Sequence, residues 1–141
     1  MIHFQLASAK GNKFNGEAYE ILVPTKAGTI GIFEDHMPLI SAAQPGVLSV
    51  RKKASDADSD MEHFAINGGM VEVSGKSVSF VTEEVTTPDD INEREAEAAL
   101  ARAEALVKGA DNQSELHEAH RLLQHSSAQL QIARLKRRHH S

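Results

Sequence analysis

Val23-Pro24-Thr25-Lys26-Ala27-Gly28-Thr29-Ile30-Gly31-Ile32, followed by His36-Met37-Pro38-Leu39-Ile40 and Gln44-Pro45-Gly46-Val47-Leu48, is the stretch that decides the fold. Gly28 and Gly31, then Pro38, Pro45 and Gly46, punctuate apolar runs of strand length. Punctuation of this kind sets the turns of a compact sheet; it does not build a catalytic site.

Outward from that stretch, residues 1–85 read as strands. Ile2, Phe4 and Leu6 alternate with polar neighbours, as do Val78 and Phe80 with serines. Apolar residues at every second position line one face of a strand. Further strands are expected at 19–23, 29–33, 47–52 and 61–66. Asn67-Gly68-Gly69 and Ser74-Gly75-Lys76 read as hairpin turns, because their residues tolerate positive φ. Many short strands with frequent turn signals imply an antiparallel β-sandwich. The tract Ala54-Ser55-Asp56-Ala57-Asp58-Ser59-Asp60 reads as a solvated tip between two strands. It imitates the start of a calcium loop, but Met61 stands where glycine is needed and Asn67 where glutamate is needed.

After Thr86-Thr87-Pro88 the period changes. Asp90 with Glu93 resembles a capping box and starts a helix near Ile91. Ala96, Ala99, Leu100, Ala103, Leu106 and Val107 fall on one stripe of it, and Gly109 is a natural C-cap. A second helix follows the turn at 111–114, from about Glu115 to Arg137, giving an antiparallel two-helix hairpin. The organisation is therefore a sandwich over 1–85, a hinge over 86–90 and a helical hairpin over 91–141. Half of the first stripe is alanine, so the hairpin buries little area and is a candidate for movement. The second helix carries Leu116, Ala119, Leu122, Leu123, Leu130 and Ala133 on one broad face. Ala128, Ile132 and Leu135 form a separate patch, which is either a scatter of surface apolars or the seat of a second partner in another state.

Composition narrows the function. The chain has 141 residues, a net charge of -5 and no cysteine. Disulfides and thiolate chemistry are excluded, and general nucleic-acid binding is disfavoured. No apolar run approaches the ~20 residues that span a bilayer, so a soluble protein is expected that meets a membrane only through partners. Acids crowd residues 89–108, whereas the last eleven residues hold Arg134, Lys136, Arg137 and Arg138 and no acid. A helix C-terminus favours cations, but four within five residues exceed that need and suggest an acidic target. His36 lacks the partners of a triad and reads as structural. His117 and His120, with His125 beyond, have one helical spacing used by zinc but no third ligand, and read as solvated. No catalytic residue, metal site or cofactor is expected. A small metal-binding or adaptor domain built on the hairpin is the alternative.

The residues from Val23 to Leu48, with Ile66-Asn67-Gly68-Gly69-Met70-Val71-Glu72-Val73, closely resemble the epsilon subunit of the bacterial F-type ATP synthase. The resemblance covers nearly the whole chain. It implies a non-catalytic rotor subunit at the cytoplasmic face of the cell membrane, with the gamma subunit, the c-subunit ring and the alpha and beta subunits of the catalytic head as partners. Gly31, His36, Pro38 and Leu39 match the surface that meets gamma and the c ring, and Thr29 departs from the acidic residue common among relatives. The hairpin of such subunits can extend and inhibit ATP hydrolysis. The resemblance implies that Arg134, Lys136, Arg137 and Arg138 meet an acidic segment of the catalytic subunits, with Arg121 contributing. Ile132 and Leu135 join that contact through the apolar patch. Some relatives bind ATP through Ile-Asp-x-x-Arg-Ala. Here the stretch is Ile91-Asn92-Glu93-Arg94-Glu95-Ala96, which keeps Ile91 and Ala96 but replaces both charged positions. Weak or absent ATP binding is expected.

Overall fold

The computed structural model describes the backbone of residues 1–140 and the side-chain surroundings of residues 1–135. Eight strands are followed by two helices: β1 (Ile2–Ser8), β2 (Gly11–Ala18), β3 (Glu20–Thr25), β4 (Gly28–Ile32), β5 (Leu39–Arg51), β6 (Glu62–Ser74), β7 (Ser77–Val81), β8 (Val85–Thr86), α1 (Glu93–Lys108) and α2 (Gln113–His140). The strands run in the order β2-β1-β7-β6-β5-β3-β4, and β8 pairs with β6. All pairs are antiparallel except β1 with β7.

The sandwich arises because β5 and β6 belong to both layers. Each has thirteen residues, about 40 Å if straight, which is too long for one layer of so small a domain. Residues 39–43 of β5 pair with 69–73 of β6, and residues 45–50 pair with 62–67. The register between the two halves is interrupted at Gln44 and Gly68, next to Pro45-Gly46 on one strand and at the positive-φ pair Gly68-Gly69 on the other. Strands that switch layers do so at such bends. The inward residues then close one core, in which Phe4, Leu6, Ile21, Leu48, Val71 and Phe80 are fully buried. Their period of two is the one expected of half-buried strands.

Several sequence expectations are corrected here. Asn67-Gly68-Gly69 is no hairpin: β6 runs through it, with φ of 115° at Gly68 and 141° at Gly69. Pro45-Gly46 likewise bends a continuous strand and does not end one. Gly28 is a turn glycine, at φ 123°, but Gly31 lies inside β4 opposite Leu22. β2 was not expected at all, since Gly-Asn-Lys-Phe-Asn-Gly-Glu-Ala has little apolar pattern. It is an edge strand that contributes Phe14, edge-on to Phe64 at 6.3 Å and tilted against Phe4 at 5.6 Å. The hairpin at Ser74-Gly75-Lys76 is where the sequence puts it. The acidic tract does lie between two strands, and its carboxylates are occupied. Asp58 pairs with Arg51, which also holds Glu20 at 3.0 Å, while Asp56 and Asp60 accept backbone N–H groups of Lys53 and Ala57.

The first helix starts two residues later than its capping pattern implies. Asn92 is the N-cap, its side-chain oxygen accepting from Glu95 N–H at 2.8 Å. Such a cap contributes about 1 kcal/mol. Asp90 instead accepts from Thr87 N–H at 3.0 Å and closes the preceding turn, and these bonds hold its carboxyl below the usual range. Asn112 opens α2 in the same manner, accepting from Glu115 N–H at 2.9 Å. The second helix lies between α1 and the β5–β6 pair.

Candidate functional site

Two surfaces carry the residues singled out by the sequence. The first is the loop after β4. His36 N–H donates to Phe33 O at 3.2 Å, its Nδ1 lies 2.7 Å from Met37 O, and Asp35 takes a positive φ of 65°. The histidine thus tightens its own loop, a structural role. Beside it Met37 is 78% exposed and Ile40 70%, while Leu39 turns inward against the core. Phe33 is held edge-on to Tyr19 at 5.6 Å. Glu34 accepts from the Met1 amine at 2.6 Å and stands 4.0 Å from Lys76, and these cations keep its carboxyl below its ordinary pKa.

Met70 and Val81, a directly paired couple on β6 and β7, extend this apolar surface beside Ala42. Sequence reasoning missed Ile40, Met70 and Val81 as surface residues. The available signal was their parity. Val71 and Val73 face the core, so Met70 must face outward, and its partner Val81 with it.

The second surface is the seat of the hairpin. Ile132, fully buried, packs with Ala128 of its own helix and Ala65 of β6, and Val47 and Ile91 close the cluster. Leu130 and Ala133 face the other way, onto Ala96 and Leu100 of α1, again with Ile91. The separate patch on the second helix therefore has a partner in this arrangement: the sandwich itself. Leu135 is half-buried beside it. Of the basic residues, Arg134 Nε lies 3.4 Å from Glu93 and its Nη2 4.0 Å from Glu97, and Arg121 donates to Asn67 O at 3.1 Å. The side chains of Lys136, Arg137 and Arg138 lie outside the described residues.

His117 and His120 are exposed, but His125 is buried, contrary to its reading as a solvated residue. Glu84 is 3.6 Å from its Nε2. In the stretch compared with the nucleotide motif, Ile91 joins both clusters, the Asn92 amide caps α1 and Ala96 is fully buried. A groove of about 590 Å³ near the hairpin turn is lined by Leu106, Leu122, Ala119 and the carboxylates Glu115 and Glu118. Its lining includes no cation to hold a phosphate. Among the described residues no group of three His, Cys, Asp or Glu is placed to hold a metal, and no helix is long and apolar enough to cross a membrane.

Ser49 and His63 face each other across β5 and β6, Oγ to Nδ1 2.8 Å. Among the described residues no carboxylate is seen bonded to this imidazole, so the pair lacks the third member of a triad. Burial holds the His63 pKa below its ordinary value. The folded chain therefore prefers the neutral ring, and unfolding takes up a proton once pH falls below the unfolded value of about 6.5. The stabilisation is complete above that pH and is lost as pH falls through the depressed folded value. His63→Gln should flatten this acid-side decline relative to wild type in urea midpoints taken from pH 7.5 downward. Parallel profiles for the two proteins would mean that His63 does not contribute to it.

Comparison with known proteins fits this architecture. A family described as ATP synthase, Delta/Epsilon chain, beta-sandwich domain matches residues 1–88. An ATP synthase epsilon chain of Polaromonas naphthalenivorans is 33% identical over 133 residues, covering 94% of each chain. The chain belongs to the ATP synthase epsilon-chain family. An epsilon chain of Staphylococcus aureus is 30% identical over 136 residues, covering 96% of this chain and 98% of its own. Among solved structures, a chain of the Euglena gracilis mitochondrial ATP synthase superposes with a TM-score of 0.76 at 20% identity, over 94% of this chain and 80% of that one. A chain of the Tetrahymena thermophila mitochondrial ATP synthase central stalk and c-ring gives 0.64 at 16%, over 94% and 96%. The epsilon-chain relatives span the sandwich and the hairpin together, so the helices are part of the shared architecture.

Proposed function

We propose that this chain is a non-catalytic central-stalk subunit of an ATP synthase, with a sandwich that docks and a hairpin that brakes. The sandwich (1–85) meets the gamma subunit and the c-subunit ring through Gly31, His36, Pro38 and Leu39, with the exposed Met37 and Ile40 beside them. Ion-driven rotation is thereby coupled to ATP synthesis. The hairpin (91–141), hinged over 86–90, leaves the sandwich and inserts among the alpha and beta subunits, where Arg121, Arg134, Lys136, Arg137 and Arg138 meet acidic groups and Ile132 and Leu135 find a second apolar partner. The complex holds the subunit peripherally at the cytoplasmic face of the membrane. ATP binds the hairpin weakly or not at all, since Ile91, Asn92 and Ala96 are engaged in packing and capping.

One observation carries the brake. In the docked hairpin the same residues that would grip the catalytic head are used internally, Ile132 on the sandwich and Arg134 on Glu93. Docking and inhibition then compete for one surface. The equilibrium between them responds only to ligands or rotation that bind the two states differently.

The test is ATP hydrolysis by a reconstituted catalytic head, alone, with the full chain, and with a chain stopped after Pro88. That stop keeps β8, whose Val85 and Thr86 pair with β6. The full chain should inhibit, and the shortened chain should bind without inhibiting. Neutralising Arg134, Lys136, Arg137 and Arg138 together should relieve the inhibition and reduce its salt dependence. Equal hydrolysis with the full and the shortened chain would remove the brake from the account.

A further inference from the structure

Arg121, His125 and Gln129 are spaced by four residues, so they form one row along α2. All three face the same corner of the sandwich, where β6 kinks and the chain passes from β7 to β8. Arg121 Nη2 donates to Asn67 O at 3.1 Å, and Gln129 Nε2 donates to Thr86 Oγ1 at 2.9 Å. The corner is itself fixed. The Asn67 side-chain oxygen accepts from Glu84 N–H at 3.1 Å, and the Thr82 hydroxyl donates to Gly68 O at 2.6 Å. Gly68 opens the seat, because a Cβ there would stand 2.9 Å from Arg121 Nη2.

Between the two good bonds lies a poor one. His125 is 6% exposed, and neither ring nitrogen has a hydrogen-bond partner among the described residues. Glu84 Oε1, at 3.6 Å from Nε2, is beyond hydrogen-bond reach, and its side chain is 59% exposed. A buried polar group left without a hydrogen bond forfeits its hydration, and the long contact to the exposed Glu84 returns little of it. Undocking would restore that hydration.

We infer that the Arg121–His125–Gln129 row is a releasable latch: the outer two residues set the register of α2 on the Asn67–Thr86 corner, and His125 keeps the docked state weak. The apolar part of the seat is small, essentially Ile132 and Ala128 on Ala65 and Val47. Latch strength is therefore open to adjustment by a single side chain. The inference deepens the reading of the hairpin as a mobile brake and rests on it for its purpose, but its test needs only the isolated full chain.

That test is amide hydrogen exchange of α2 in the purified protein, with β6 amides as the internal reference for an intact sandwich. His125→Leu should slow exchange over residues 124–134 about fivefold or more, corresponding to the lower end of the cost of an unsatisfied buried group. The Arg121→Ala, Gln129→Ala double variant should speed it by a similar factor while β6 stays protected. Unchanged or faster exchange in His125→Leu with β6 protected would overturn the latch. So would an unchanged rate in the double variant. If exchange moves as expected while the full chain fails to inhibit hydrolysis, the latch stands and the brake falls.

Discussion

Gly69→Ala should destabilise the sandwich by about 3–5 kcal/mol, a large part of the ~5–10 kcal/mol expected for a domain of this size. Two costs combine. The backbone holds φ at 141°, where L-residues are strained. A Cβ built there would also sit inside the contact distance of the Val81 carbonyl and 2.8 Å from Phe80 Cε1. Phe80 is fully buried in the core and cannot yield without disturbing its neighbours. Urea unfolding should show a sharply lowered midpoint at unchanged slope. Gly31→Ala is the contrast. Its added methyl would meet Leu22 and Phe33 at 3.6 Å, an ordinary contact, and stability should stay within about 0.5 kcal/mol of wild type. A loss of binding to gamma or the c ring in that variant would then report on the interface proposed for Gly31. Equal midpoints for Gly69→Ala and wild type would show that the kink relaxes freely.

Ile132→Ser should release the hairpin and leave the sandwich folded. Ile132 is fully buried where α2 meets β6, and large-to-small changes at such sites cost about 2–5 kcal/mol. A hydroxyl placed among Ala65, Val47 and Ile91 adds the cost of an unpaired polar group. With so few apolar contacts holding α2 down, a loss of that size exceeds what the remaining bonds of Arg121 and Gln129 supply. Exchange protection over α2 should fall to what its packing on α1 alone supplies, while the β6 amides remain protected. In the hydrolysis assay, if the hairpin acts as the proposed brake, Ile132→Ser combined with Leu135→Ser should bind the head without inhibiting it, because the apolar contact proposed for Ile132 and Leu135 is removed. Loss of protection in β6 as well would mean that sandwich and hairpin fold as one unit.

What the sequence disclosed follows from which signals are local. The alternation at Ile2, Phe4 and Leu6 and the punctuation after Val23 yield a sandwich because strand periodicity is a nearest-neighbour property. The helix stripe through Ala96, Leu100 and Ala103 yields a hairpin for the same reason. Asn67-Gly68-Gly69 and Pro45-Gly46 were misread because a bend and a reversal use the same residues, and only the distant partner strand distinguishes them. β2 escaped because an edge strand needs only one buried side, and here that side is little more than the half-buried Phe14 and the buried but small Ala18. The start of α1 was displaced because Asp90 and Asn92 are both good caps, and the choice between them depends on Thr87. At the candidate sites, the His36 loop was legible as apolar, but its outward set of Met37, Ile40, Met70 and Val81 required strand parity. The burial of His125 and the partner of Ile132 were beyond reach, since both depend on how a helix seated by residues 121–132 meets strands formed sixty residues earlier.

The parallel pairing of β1 with β7 has a consequence for how the chain acquires its structure. His3 to Ala7 align with Ser77 to Val81, so the first strand must wait for a partner more than seventy residues downstream. β5 and β6, joined by one short connection, have no such delay and can zip from their acidic tip inward. Closing a loop that long is entropically costly before any contact rewards it. During synthesis β1 and β2 are expected to be no more than a lone hairpin, with Phe4 and Leu6 lacking their β7 neighbours until Val81 has emerged. Completion of the sheet is thus expected to wait on β7, ahead of the docking of the helices that follow it in the chain.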